Sequence, residues 1–265
     1  MSIQAPAHET VSEDAGAHSA AKESTMQSTT GTTGTTGTTG TGTTPKKPSL
    51  TYDGYPKPHL RGWIHACTAP LALAACIVLT VLAPTAGKSW ACAAYLACSL
   101  LLFTNSGVYH ISNGHLSRRV SATLQSFDHS NIFLLIAGTY TPLSVALLSS
   151  RATALVLGIV WGGALLGIIK CLVWRSAPRW FSTVLYVALG WVAIWFLPQF
   201  WFTGGPAIVC LLVAGGLLYT IGGIIYVRQR PDPWPEWFGF HEIFHLCTVA
   251  GWACHCVACY LAVLS

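Results

Sequence analysis

Acidic side chains are the scarcest chemistry in this sequence, with nine Asp and Glu among 265 residues. Charged residues of both signs amount to 9 %, where a soluble domain carries roughly a quarter. With 52 % apolar residues and a positive mean hydropathy, that scarcity excludes a water-soluble globule. A dense basic cluster is also missing, so nucleic acid is not an expected partner. No charged segment leads directly into an apolar core and a small-residue cleavage site, so no removable signal peptide is expected. A disulfide framework is absent too: the ten Cys scatter, nearly all inside apolar runs, where a free thiol acts as a small apolar side chain. Cys254, His255, Cys256 and Cys259 lie close in sequence, but adjacent helical positions diverge and make a poor ligand set.

What the chain does hold is long apolar runs. A membrane-crossing helix takes about 20 such residues, and seven windows qualify: 62 to 83, 90 to 110, 125 to 148, 152 to 174, 180 to 198, 206 to 227 and 241 to 264. The predicted fold class is therefore an all-α membrane protein, a bundle of seven transmembrane helices over residues 58–265, multi-pass in the plasma membrane. Residues 1–57 carry the tract TTGTTGTTGTTGTGTT and few large apolar side chains, which predicts a disordered tail. With that tail inside, Lys46, Lys47, Lys57, Arg61, Arg118, Arg119, Lys170, Arg175, Arg179, Arg228 and Arg230 fall on the cytoplasmic side. Only Lys88 and Arg151 fall outside, so the positive-inside rule sets the N-terminus in the cytoplasm and Ser265 outside.

This topology brings a few polar residues to one depth. His241 and His245, four apart, share a helix face and offer two imidazole nitrogens. Ser106 and His110 lie near the inner end of the second span, and Asp128 lies in the first turns of the third. A carboxylate at the centre of a membrane helix costs roughly 2.5–3.5 kcal/mol on insertion scales, which a neighbouring His or a metal offsets. His110, His241 and His245 are accordingly the candidate metal ligands, with zinc the expected ion. Three imidazoles leave zinc one open position, where the pKa of a water falls to about 7. Asp128 is the candidate proton acceptor, and Ser106 the candidate partner for that water or for a substrate carbonyl.

A rival reading overlaps this one. His241, Glu242 and His245 spell H-E-x-x-H, in which the Glu is the general base of a zinc protease. Intramembrane proteases of that type need an acidic third ligand on a later helix, and here only one residue follows span seven. The sole Asp-Gly pair, Asp53 and Gly54, lies in the tail. His65, His115, His129 and His255 read as isolated imidazoles bonded to backbone carbonyls. Gly158, Gly162, Gly163 and Gly167 in span four, with Gly215, Gly216, Gly222 and Gly223 in span six, read as close-packing faces, with a homo-oligomer as the lesser use. Pro142 is expected to bend span three, and Trp191, Trp195, Trp201, Trp234 and Trp237 to sit near the membrane interfaces.

The strings NSGVYH, FDHSNIFLLIAGTYTPL, IGGIIY and FGFHEIFHL resemble the haemolysin III branch of the progestin and adipoQ receptor (PAQR) family, the membrane homeostasis proteins of bacteria. The likeness runs from about residue 57 onward. It implies seven membrane helices with a cytoplasmic N-terminus. Its S-x-x-x-H, D and H-x-x-x-H pattern falls on Ser106, His110, Asp128, His241 and His245. Adiponectin-receptor members bind zinc through the three His and are linked to ceramide hydrolysis, which implies a zinc-dependent hydrolase acting on a lipid amide or ester. In that light Glu242 is a neighbour of the site and not its base. A receptor or regulator of membrane fluidity with structural zinc is the chief alternative. A cytolytic protein is what the haemolysin name implies, although the polar residues form one cluster and no continuous path. The long Thr/Gly tail departs from the short bacterial terminus.

Overall fold

The computed structural model describes residues 57–265. The tail expected over 1–57, with Lys46, Lys47, Asp53 and Gly54, lies outside the described residues except for Lys57. Among the described residues every long element is helical: α1 Trp63–Leu82, α2 Ala86–Ser112, α3 Arg118–Leu147, α4 Ser150–Val173, α5 Arg179–Gly190, α6 Leu197–Gly204, α7 Pro206–Arg228 and α8 Phe240–Leu264. A 3-10 stretch, Trp191–Phe196, joins α5 to α6. Counting Arg179–Gly204 as one unit, seven helices are long and apolar enough to cross a membrane.

Local chemistry sets the boundaries. Thr85, Ser117 and Ser149 each place a side-chain oxygen on an N–H of the first turn of α2, α3 and α4, which satisfies a donor that the helix start leaves over. At the other end of α2, the Lys57 ammonium donates to the carbonyls of Ile111 (2.7 Å) and Asn113 (3.2 Å). Burial, and then the neighbouring Arg61 guanidinium, lower the pKa of Lys57 below the usual lysine value. Lys88 plays the same part for α8, donating to Val263 at 2.9 Å.

The third span starts at Arg118, seven residues before the expected 125, and the fifth span departs from expectation in both length and form. It runs on to Gly204, past the expected 198, and its middle third is 3-10. Tyr140 of α3 fastens this break: its hydroxyl donates to the Gly190 carbonyl and accepts from the Ala193 N–H, both at 2.6 Å. Trp191 points inward and donates to Thr220 at 3.0 Å, so it is a mid-span residue and not an interfacial one. Trp195, Trp201, Trp234 and Trp237 are exposed. Pro142 sits inside a continuous α3, whose flanking sequence stays helical.

We call the end of the bundle where α1 begins the proximal face and the opposite end the distal face. Leu79, Cys92, Tyr95, Phe200, Ile208 and Val263 build the core toward the distal side. Phe133, Val156, Val160 and Ala164 seal α3 against α4. Close approach of α7 and α8 depends on glycine: a Cβ on Gly215 would run into the His255 ring and one on Gly251 would press on the Gly215 carbonyl. Gly163 and Gly167 pack on Leu189 and Phe133, whereas a Cβ on Gly158 or Gly162 would meet nothing. The span-four glycine face therefore serves helix packing at only two of its four positions. Two amides hold α2 to α3, Asn131 donating to Leu101 (2.8 Å) and Asn105 to Leu124 (3.2 Å).

Candidate metal centre

His110, one turn from the end of α2, and His241 and His245, on the first two turns of α8, converge near the proximal face. One ring nitrogen from each lies within 4.8 Å of the others, and the three could hold a metal ion. The Nε2 atoms of His110 and His241 are 3.2 Å apart. Two nitrogens at ~2.05 Å from one tetrahedral ion stand about 3.3 Å apart, so the spacing fits a shared ion. His245 Nδ1 is buried without a hydrogen-bond partner, which leaves that imidazole with bonding capacity to spend inside the cluster.

α3 starts at Arg118, earlier than expected, so Asp128 lies about three turns into it and not in its first turns, with Oδ2 3.5 Å from His110 Nε2. The Ser106 hydroxyl and His129 are its other polar neighbours. Ser106 is itself buried, and its Oγ is 2.8 Å from His65 Nδ1. An ionised Asp128 only accepts hydrogen bonds, so a Ser106 that donates to it accepts from the Nδ1–H of His65. All five residues expected at the site are thus brought together.

His65 is the site residue that sequence reasoning missed. It bonds Ser106 besides meeting the His245 backbone, and its ring stacks on His245 with centroids 3.8 Å apart and an interplanar angle of 15°. A signal was present, since His65 occupies the first turn of α1 at the depth that marked the other five. His255, by contrast, reaches the Leu212 carbonyl at 3.2 Å, as expected.

Glu242 is committed elsewhere. It is fully buried, pairs with Arg61 Nε at 2.5 Å and accepts from the Gly239 N–H at 2.9 Å. Oε1 thereby ties the start of α8 to the segment before α1, and Oε2 caps α8 itself. Asp232 supports the same turn by accepting from the Phe240 N–H at 3.0 Å. His59 stacks on Trp237 and approaches the Glu236 carbonyl at 2.8 Å.

A cavity of about 550 Å³ opens beside the cluster, lined by the segment before α1 and by α2, α3, α4, α5, α7 and α8. Along α3 it follows Gln125, Asp128, Ile132, Leu135, Ile136, Thr139 and Tyr140, one helix face. Fifteen residues of rise make this path about 22 Å long. His110, Asp128 and basic side chains line one end; Gly190, Trp191 and Tyr219 line the other.

The haemolysin-III-related family model matches residues 54–256. The chain is 30 % identical over 190 residues to the hemolysin-3 homolog of Bacillus subtilis (strain 168), covering 71 % of this chain and 85 % of that protein. Identity to hemolysin-3 of Bacillus cereus is 31 % over 190 residues, 71 % of this chain and 83 % of that one. The heptahelical transmembrane protein ADIPOR2 of Oryza sativa subsp. japonica is 29 % identical over 193 residues, 64 % of this chain and 80 % of its own.

Proposed function

The chain belongs to the haemolysin-III-related family within the PAQR group, and we propose that it is a zinc-dependent hydrolase that cleaves an amide or ester bond of a membrane lipid. The observation that carries this reading is Asp128 beside His110 at one end of a 550 Å³ cavity whose lining continues past them over Ile132, Leu135, Ile136, Val187 and Trp191. His110, His241 and His245 would hold the zinc. When bound, the ion supplies a Lewis acid that polarises a carbonyl and makes water acidic enough to attack at neutral pH. Asp128 takes the proton from the attacking water and later returns it to the departing amine or alcohol. Ser106, held by His65, turns its one hydroxyl hydrogen from Asp128 to the substrate carbonyl when substrate is bound. The apolar wall beyond Ile132 takes the lipid chain and keeps bulk water from the reacting bond.

Glu242 supports this assignment by being unavailable. A general base must reach the proton it removes, and both oxygens of Glu242 are spent on Arg61 and Gly239. H-E-x-x-H proteolysis loses its base on that account. The proximal face is the cytoplasmic one in our reading, because Lys57, Arg61, Arg118, Arg119, Lys170, Arg175, Arg179, Arg228 and Arg230 belong to it and Lys88 and Arg151 to the distal face. We place the protein in the plasma membrane. The test is turnover of defined lipid amides and esters by purified protein, abolished in Asp128→Asn with zinc retained. A wild type that cleaves neither lipid class sinks the hydrolase, and zinc that ties α2 to α8 in a regulator of membrane fluidity becomes the better account.

A further inference from the structure

We infer that the proximal mouth of the cavity is a phosphate site, so that the lipid it admits carries a phosphate monoester headgroup. Four cations line the cavity: Arg61, Lys170, Arg175 and Arg179. Arg118, Arg119, Arg228 and Arg230 share the proximal face but are not among its lining residues. The positive-inside tendency explains why Lys and Arg lie on this side. It does not explain why the end of α4, the following turn and the start of α5 send three of them to one cavity.

The acids that share the lining are already engaged. Asp128 faces His110 and Asp232 caps α8. Arg61 is paired with Glu242. Among the described residues, no carboxylate lies within ion-pair distance of Lys170, Arg175 or Arg179. Two of these head groups are nonetheless positioned: Lys170 donates to the Ser182 hydroxyl and lies 5.7 Å from the Phe181 ring centroid, and Arg179 lies over the Tyr226 ring at 5.6 Å. The same corner is the start of α5, a helix of 12 residues with no side-chain cap and no acid in its first turn. The Phe181 and Ser182 N–H groups bond the Pro178 carbonyl, and the positive dipole end of the helix, with the N–H groups of Arg179 and Trp180, adds to the attraction for an anion.

Three cations and a helix start facing one cavity call for about two negative charges. A phosphate monoester carries −1.5 to −2 near neutral pH and offers oxygens to several donors at once. Bound between Lys170 and Arg179, it would leave the adjoining part of the lipid toward His110 and Asp128, with the tail along Ile132, Ile136 and Trp191. This selection rests on the reading of the cavity as a lipid site and on nothing about turnover.

The experiment titrates full-length protein, in discs of zwitterionic lipid, with phosphatidic acid and with diacylglycerol of the same acyl chains, followed by native mass spectrometry. Phosphatidic acid should bind at least ~10-fold tighter, a difference that a few charge-assisted hydrogen bonds supply. Lys170→Gln/Arg175→Gln/Arg179→Gln should abolish the preference. The exposed pair Arg175→Gln/Arg179→Gln, which leaves the half-buried contacts of Lys170 intact, should reduce it. Arg118→Gln/Arg119→Gln, with the same face and two fewer charges, should keep it. Equal binding of the two lipids by wild type, or an equal loss in the cavity and control variants, overturns the site. Inorganic phosphate that displaces phosphatidic acid at equal concentration overturns the lipid part, leaving a site for free phosphate. A preference that persists in a protein that cleaves no lipid ends the hydrolase reading alone; hydrolysis without preference ends this inference alone.

Discussion

The distal half of the bundle buries thiols, aliphatic chains and aromatic rings: Cys76, Leu79, Cys92, Tyr95, Phe200 and Val263. The proximal half buries His65, Ser106, His110, Glu242 and His245 within the same seven helices. Helix packing in a membrane needs only the first kind of filling. Buried polar groups are costly unless partnered, and the proximal half links His65 with Ser106, Asp128 with His110, and Glu242 with Arg61 and Gly239, while His65 Nε2 and His245 Nδ1 keep no hydrogen-bond partner. One half is thus a scaffold, and the other is stable only as a connected network. The difference teaches that stability and function can be disturbed separately by choosing the end of the molecule that is changed.

The largest expected effect breaks the comparison at the metal. His110→Ala, His241→Ala or His245→Ala should each remove most of the bound zinc, because two imidazoles hold it far less well than three. Metal analysis by plasma emission reads this directly. Undiminished zinc in His110→Ala would remove α2 from the site and restore the protease arrangement on α8. Leu79→Ala at the distal end, 0 % exposed, should keep its zinc while losing about 2–5 kcal/mol of stability.

Next in size is the contrast between the two membrane-embedded acids. Asp128→Asn should keep zinc and fold but lower lipid turnover by roughly 10²- to 10⁴-fold. Glu242→Gln should leave turnover nearly unchanged. It removes the charge that neutralises Arg61, whose side chain is only 16 % exposed, and should lower stability by roughly 2–3 kcal/mol. Thermal melting in detergent beside a lipid-amide assay separates the two outcomes. If Glu242→Gln abolishes turnover while Asp128→Asn retains it, the base has been assigned to the wrong carboxylate.

How much of this was legible in the sequence follows from the same comparison. The seven spans were legible because length and apolarity are properties of a window, and the described helices fall on all seven. The convergence of Ser106, His110, Asp128, His241 and His245 was legible because topology fixes depth, and depth with helical spacing fixes a face. Neither gives azimuth. Which way His65 or Trp191 turns depends on how α1 meets α2 and how the fifth span meets α7, and no local pattern records that. The break at Trp191–Phe196 was hidden for a related reason: its sequence, WVAIWF, is apolar throughout, and the Tyr140 hydroxyl that satisfies the displaced backbone groups comes from 50 residues earlier. Glu242 illustrates the converse, for a motif assigned it a catalytic role and its partner Arg61, 181 residues distant, takes that role away.

The smallest expected effect sharpens the comparison inside the proximal half. His65→Phe preserves the two ring contacts, on His245 and edge-to-face on Phe103, whose centroid lies 5.2 Å away. It removes the hydrogen bond to Ser106 and the polar contact with the His245 backbone. Zinc content should be unchanged because no ligand is lost. Turnover should fall by about 3- to 10-fold, the value of one neutral hydrogen bond of roughly 0.5–1.5 kcal/mol, through a Ser106 hydroxyl that no longer holds its orientation toward the substrate carbonyl. Ser106→Ala should lower turnover by at least as much, and the double variant should lower it no further than Ser106→Ala does, since His65 acts through that hydroxyl. A lipid-amide assay on the two single variants and the double variant supplies the cycle. Independent, multiplying losses would place His65 in direct contact with the reacting groups, and a loss of zinc in His65→Phe would make the stacked ring part of the scaffold that holds His245.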